Sequence, residues 1–227
     1  MKTLIILPHC DDEIGIIPLL LNNSSKFNYC DFLFLSSDDD RLSESNIFLE
    51  YVFSSQDLHY NIFRCPLNLT DGKMYEKFDQ IFTYINNISK NYDIVCSPFG
   101  ERGHQDHDIA FLVTSSLIGQ EKYYFNLYRS NKILYYFAFS SDYHPELSII
   151  KIKLNSKLAL RCLKNLFHFK SQLLQIFLIL PFYIYRVLKG FNYAYSVSGE
   201  SDLSKFRFET DVLYFKRNTV DRESFNL

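Results

Sequence analysis

The chain has 227 residues, a length that suits one α/β domain (1–227) rather than two. Its hydrophobic fraction of 47% is that of an ordinary globular protein, and its net charge of -2 gives no general pull toward nucleic acid or an anionic surface. The five cysteines are odd in number, scattered and without a C-x-x-C pair, which argues against a disulfide framework and a thiolate zinc cage.

Residues 4–7, Leu-Ile-Ile-Leu, form a short apolar run that stops at Pro8 and reads as a fully buried strand of a parallel sheet. His9, Cys10, Asp11, Asp12 and Glu13 follow at once. In open α/β sheets the ligand crevice lies at the carboxyl ends of the strands, so these side chains are delivered to where such a fold does chemistry. Residues 14–21 predict a helix loosened by Gly15 and Pro18. A second strand is expected over 30–35, then the polar loop 36–40, then a helix over 41–55 with Ile47, Phe48, Tyr51 and Val52 at helical spacing. Asp38, Asp39 and Asp40 read as a solvated loop ahead of a second cation site. A third strand is expected at 59–65, and Asp71-Gly72 signals a turn. Residues 74–89 carry an amphipathic helical period, 92–97 a fourth strand, 100–108 a polar loop and 109–117 a helix.

Strand, polar loop and helix recur about every thirty residues, the pattern of a doubly wound, Rossmann-like, mainly parallel sheet flanked by helices in three layers. The first and fourth strands both run into loops rich in His and Asp. Parallel strands put both loops on one edge of the sheet, so His9, Asp11 and Asp12 can share one metal with His104, Asp106 and His107. Such a centre needs three ligands, a base for the attacking water and a group facing the developing oxyanion, and six candidates cover those jobs.

Beyond residue 117 the pattern loosens. Strands are expected at 133–139 and 147–152, a helix at 155–172, and a late edge strand at 206–216. The apolar run 173–188 is shorter than the about 20 residues a membrane span takes, and Pro181 interrupts it. It reads as a buried helix or partner interface, with a helix lying in the membrane interface as the alternative. His59, His144 and His168 read as structural or surface residues, with a substrate loop around His144 as a lesser option. The chain enters a strand with no secretory segment before it, so a reducing cytoplasm is expected.

Pro8-His9-Cys10-Asp11-Asp12-Glu13 resembles the [AP]-H-P-D-D-E signature of the PIG-L/LmbE-like deacetylases, and Gly103-His104-Gln105-Asp106-His107 resembles their G-H-P-D-H signature. Arg41-x-x-Glu44, Asp71-Gly72, Tyr92-Asp93-Ile94-Val95 and the lysine-rich segment ending Lys170-Ser171-Gln172 resemble further family segments, so the likeness runs from Lys2 to Gln172. It implies a Zn2+-dependent enzyme, with Fe2+ as an alternative ion, that removes the acetyl group from an N-acetylglucosamine-type conjugate. Carried over, His9, Asp12 and His107 hold the metal, Asp11 is the general base, and a positively charged His104 faces the oxyanion. Asp106 and Glu13 support the site, and Arg41 and Asp71 are weaker substrate-contact candidates. The implied partner is a small-molecule or lipid-linked amino sugar. No nucleic acid is expected, while peripheral membrane contact through 173–188 and a homo-oligomer are open.

Two positions depart from the family pattern: Cys10 and Gln105 stand where prolines are usual. The expectation is that Cys10 points away from the metal and that both changes cost loop stiffness without removing a ligand. The loop 36–41 also lacks the family's glycine-rich, glutamate-containing pattern. A metal amidase acting on another acyl or thiol conjugate, and a non-catalytic carbohydrate-binding homologue, are the competing readings. A metal-dependent phosphatase is disfavoured by the lack of a second carboxylate set and of a phosphate-cradling glycine loop.

Overall fold

The computed structural model describes residues 1–100, 104–127, 137 and 148–196. Strands β1 (Lys2–Leu7), β2 (Tyr29–Phe34), β3 (His59–Arg64), β4 (Ile94–Pro98) and β5 (Glu121–Phe125) are joined by helices α1 (Glu13–Asn22), α2 (Asp39–Phe53), α3 (Phe78–Ser89) and α4 (Gln105–Ser116). Then come β6 (Ser148–Ile152), α5 (Ser156–Asn165), α6 (Leu173–Lys189) and β7 (Phe191–Ser196). Short 3-10 turns stand at Met74–Lys77, Leu166–His168 and Lys170–Gln172. The sheet order is β3-β2-β1-β4-β5-β7-β6, parallel from β3 to β5, with β7 antiparallel to both its neighbours.

Alternate side chains of each central strand enter opposite cores, which is why the strands read as continuous apolar runs. Ile5 and Leu7 of β1 and Phe32 and Phe34 of β2 pack with α1, α2, α5 and α6. Leu4, Ile6, Leu33 and Val95 face the other way, onto α3 and α4. These are the three expected layers. Gly15 marks a close approach of α1 to the sheet. A Cβ there would lie 2.5 Å from Phe125 Cδ2 and 2.7 Å from Leu127 Cδ2.

The differences from the sequence reading have physical causes. Residues 105–108 are the first turn of α4 rather than a loop; Asp106 and Asp108 lie at its positive end, where acids are favoured. The helix expected over 155–172 ends at Asn165, and the chain turns through two 3-10 segments. That turn buries Phe169 against Phe48, ring centroids 4.8 Å apart. Strands β5 and β7 were not expected. The strands expected at 133–139 and 206–216, and the loop around His144, fall mainly outside the described residues.

The run 173–188 is a helix, but the core fully buries only Ile176, Tyr183 and Val187 from it, with Ile179 and Leu180 half-buried against them. Leu174 is 71% exposed, Phe177 57% and Leu188 64%, so a buried core helix accounts for one side only.

Candidate active site

The chain builds the sheet outward from β1 in one direction through β2 and β3, then returns to place β4 on the other side of β1. The crevice at such a reversal is where open α/β sheets bind ligands. Both histidine-bearing segments open there: Pro8–Asp12 leads from β1 into α1, and His104 is the residue before α4. Backbone bonds from Leu35 N to Leu7 O (2.8 Å) and from Ser36 N to Pro8 O (2.9 Å) fix the first segment against the end of β2.

His9 is the hub. Its Nε2 lies 3.0 Å from Asp106 Oδ2 and 3.2 Å from Asp71 Oδ1, and its Nδ1 lies 3.5 Å from Asp12 Oδ2. The other Asp12 oxygen is 3.3 Å from His107 Nε2. The Asp12 carboxylate thus stands between the two imidazoles. The His104 ring stacks on that of His107 at 4.6 Å and meets His9 edge-on at 4.8 Å.

Asp106 is fully buried and serves as an anchor. It accepts from the backbone of Gly72 at 2.6 Å and of Met74 at 3.2 Å as well as from His9. When the His9 ring is neutral and its Nε2–H donates to Asp106, the lone pair falls on Nδ1, facing Asp12. Gln105, buried in place of the family's proline, donates to the Gly72 carbonyl. Gln105 and Asp106 therefore grip both polar groups of one residue in the Asp71-Gly72 turn, whose Gly72 has φ +76°. The expected loss of stiffness at this position is offset by that tie.

Asp11 has φ +97°, an unusual backbone conformation for a non-glycine residue, of the kind that collects at functional sites. Its N–H donates to Glu13 Oε2 at 2.8 Å. Asp11 and Asp12 both line a cavity of about 210 Å³, walled by Ile14, Leu127, Phe137 and, from α6, Gln175, Leu178 and Ile179. Cys10 points the other way, into the core beside α2, where burial raises its thiol far above the ordinary range. Arg41 Nη1 lies 3.9 Å from Asp71 Oδ2, and Asp71 is half-exposed.

The charges are graded. Burial would favour a neutral His9, but the carboxylates of Asp106, Asp12 and Asp71 outweigh it and hold its pKa well above the ordinary value. Burial would likewise raise Asp12, but His107 and His9 hold it far below the usual carboxylate range. Its neighbour Asp11 is pushed up to about 7, first by burial and then by the Asp12 charge. Two adjacent acids driven apart in this way are suited to different jobs, one as a permanent anion and one as a proton carrier. Glu13 is pushed up to about 8 by burial. Burial, then the nearby His107 and His9, pushes His104 down to about 3.

The donor set fits a divalent cation. One ligand atom each from His9, His104 and His107 lie within 4.8 Å of one another, as do atoms from His9, Asp71, His104 and Asp106; the expected ligand Asp12 is in neither group. Imidazoles and carboxylates suit zinc or ferrous iron. The second grouping competes poorly, because both Asp106 oxygens already accept backbone N–H bonds. Among the described residues the other two histidines lie apart: His59 is exposed and stacks on Tyr29, and His168 stacks on Tyr51. Asp38 caps α2 through Arg41 N, and Asp39 pairs with Arg64, so this acidic run serves a helix start.

The sequence reading left Gln172 out of the site. Its amide donates to Cys10 O at 3.2 Å and its side chain also reaches Asp11. Ser171 is tied to Glu44 through its N–H (2.9 Å) and its hydroxyl (2.5 Å). The S-Q ending of the lysine-rich segment was the signal for this support.

No protein-family model matches the chain, and no curated protein matches it in sequence. Solved structures do. The teicoplanin deacetylase Orf2 superposes with a TM-score of 0.64 at 11% identity, over 89% of this chain and 100% of that one. One of its structures is described as a zinc-inhibited form. The A40926 pseudoaglycone deacetylase Dbv21 superposes with a TM-score of 0.59 at 12% identity, over 86% of this chain and 96% of that one. The 4-carboxy-2-hydroxymuconate hydratase GalB of Pseudomonas putida KT2440 gives 0.51 at 9% identity, over 86% and 95%. The chain shares its fold with these two deacetylases and with the hydratase over 86–89% of its length.

Proposed function

We propose that this protein is a zinc-dependent N-deacetylase that removes the acetyl group from an N-acetylated amino sugar conjugate. The observation that carries this reading is the Asp12 carboxylate set between His9 and His107 at the sheet's reversal point, with Asp11 beside it on the cavity wall. His9, Asp12 and His107 would hold the ion; ferrous iron suits the same ligands. A divalent cation held by these residues would supply polarisation of the acyl oxygen and a lowered pKa, toward ~7, for the attacking water.

The protein's own groups do the rest. Asp11, near neutrality in its pKa, takes the proton of the attacking water and later hands it to the leaving amine. His104, neutral, donates a hydrogen bond toward the oxygen on which charge develops. Asp106 keeps the His9 lone pair turned to the ion. Glu13 holds the Asp11 backbone in its strained form. Five free, buried cysteines suit a reducing compartment such as the cytoplasm.

The test is acetate and free-amine release from a panel of N-acetylglucosamine conjugates, with and without chelator. Release is expected to stop with chelator and to fall about a hundredfold to ten-thousandfold in Asp11→Ala, which retains its metal. Turnover unchanged in Asp11→Ala refutes the assignment of the base. Glycan binding without bound metal or turnover would favour the non-catalytic reading.

A further inference from the structure

We propose that the exposed face of α6 docks the protein on an anionic lipid bilayer, so that the cavity over Asp11 and Asp12 opens at the membrane surface. Leu174, Phe177, Leu178, Ile184, Tyr185 and Leu188 recur at helical spacing on this face and are 41–71% exposed. The opposite side of the same helix, Ile176, Tyr183 and Val187, is in the core. The patch extends to Phe167, 43% exposed, whose ring lies 5.9 Å from that of Phe177.

Charge selects the occupant. Residues 147–199 hold eight Lys and Arg and no Asp or Glu, in a chain whose net charge is -2. Lys151, Lys153, Lys157, Lys164, Lys170 and Lys189 are exposed, and none forms an ion pair among the described residues. Lys157 and Lys164 share a helical face with the exposed Leu160, and Lys170 and Lys189 bracket α6. A second copy of the chain would bring these like charges together, whereas anionic headgroups pair with them while acyl chains take the apolar side chains.

Length and composition would let Lys170–Lys189 cross a membrane, but the fold holds it at the surface. The helix leads through Gly190 directly into β7, which is hydrogen-bonded between β5 and β6. Leu178 belongs both to the exposed face and to the cavity wall, so a substrate with an apolar anchor would reach Asp11 along the helix. This last step rests on the proposed deacetylase reading; docking itself needs no turnover.

The experiment is sedimentation of the full-length protein with vesicles of phosphatidylcholine alone and of phosphatidylcholine with phosphatidylglycerol. Sedimentation velocity without lipid accompanies it. Binding to the anionic vesicles is expected, weakened by salt, by about fivefold for each of Lys164→Gln and Lys170→Gln, and by tenfold or more for Phe177→Glu with Leu188→Glu. The lysine variants alter only exposed side chains and keep the test open if the glutamate variant fails to fold. Three results overturn the proposal: no vesicle binding by the wild type, equal binding to neutral and anionic vesicles, or a dimer in solution that the Phe177 and Leu188 changes dissolve.

Discussion

Replacing Asp106 by asparagine tests how the site is held. The carboxylate accepts three hydrogen bonds, from Gly72 N, Met74 N and His9 Nε2, and none of its surface reaches solvent. Asparagine has nearly the same shape but offers one accepting oxygen. Placed at the Oδ2 position, that oxygen keeps Gly72 and His9, and the amide is turned on the Met74 N–H, donor against donor. One buried unsatisfied donor costs about 1–3 kcal/mol. For a chain of this size each kcal/mol is about 2–4 °C in melting temperature, so the metal-free variant should melt several degrees lower. The His9 ring also loses the charge that fixes its tautomer, a change that typically weakens metal affinity about 10–100-fold. Calorimetry of the metal-free protein reads the first effect, and competition against a chromophoric chelator reads the second. Asp106→Asn with both melting temperature and zinc affinity unchanged would refute the role given to Asp106.

Three further outcomes follow from the same geometry. Gln105→Pro restores the residue usual in the family; position 105 begins α4 and His104 is already extended at φ -130°, ψ 113°, so the helix should be kept. The Gly72 carbonyl loses its partner, so KM should rise while the melting temperature moves little; a collapse of the fold would contradict this. Gly15→Ala should lower the denaturation midpoint, because overpacking against Phe125 and Leu127 costs about 1–3 kcal/mol against a helix gain of about 1 kcal/mol; a raised midpoint would show that the contact yields. As a base, Asp11 works only when ionised, so kcat/KM should rise with pH along an acid limb. Without an ion its pKa is pushed up to about 7, and a bound cation pulls it lower, so the limb should lie below about 7. A flat profile through that range would exclude it.

Four of the five parallel strands were legible because β1, β2, β3 and β4 are short apolar runs with polar loops behind them. β5 escaped because Glu121 and Lys122 begin it. Lys122 is buried with its Nζ donating to Ser115 O at 2.8 Å, a contact that sequence periodicity cannot reveal. β7 was hidden by the long apolar run before it, although Phe191, Tyr193 and Tyr195 alternate in strand fashion. The two motifs were readable as residues, and their shared place followed from strand direction. The adjacency of β1 and β4 did not, since sheet order is set by packing across the whole domain. Nor could spacing show that Gln105 holds the Gly72 carbonyl or that Gln172 reaches Asp11, because both are contacts across distant segments. For α6, composition gave the helix and its apolarity but not which side the core would leave uncovered.

The most direct measurement is anomalous diffraction at the zinc edge from crystals of the zinc-loaded protein. A single peak about 2.0–2.2 Å from a nitrogen of His9, a nitrogen of His107 and an Asp12 oxygen is the result this account predicts. A peak held instead by Asp71 and His104, or one from which His107 stands apart, would contradict it.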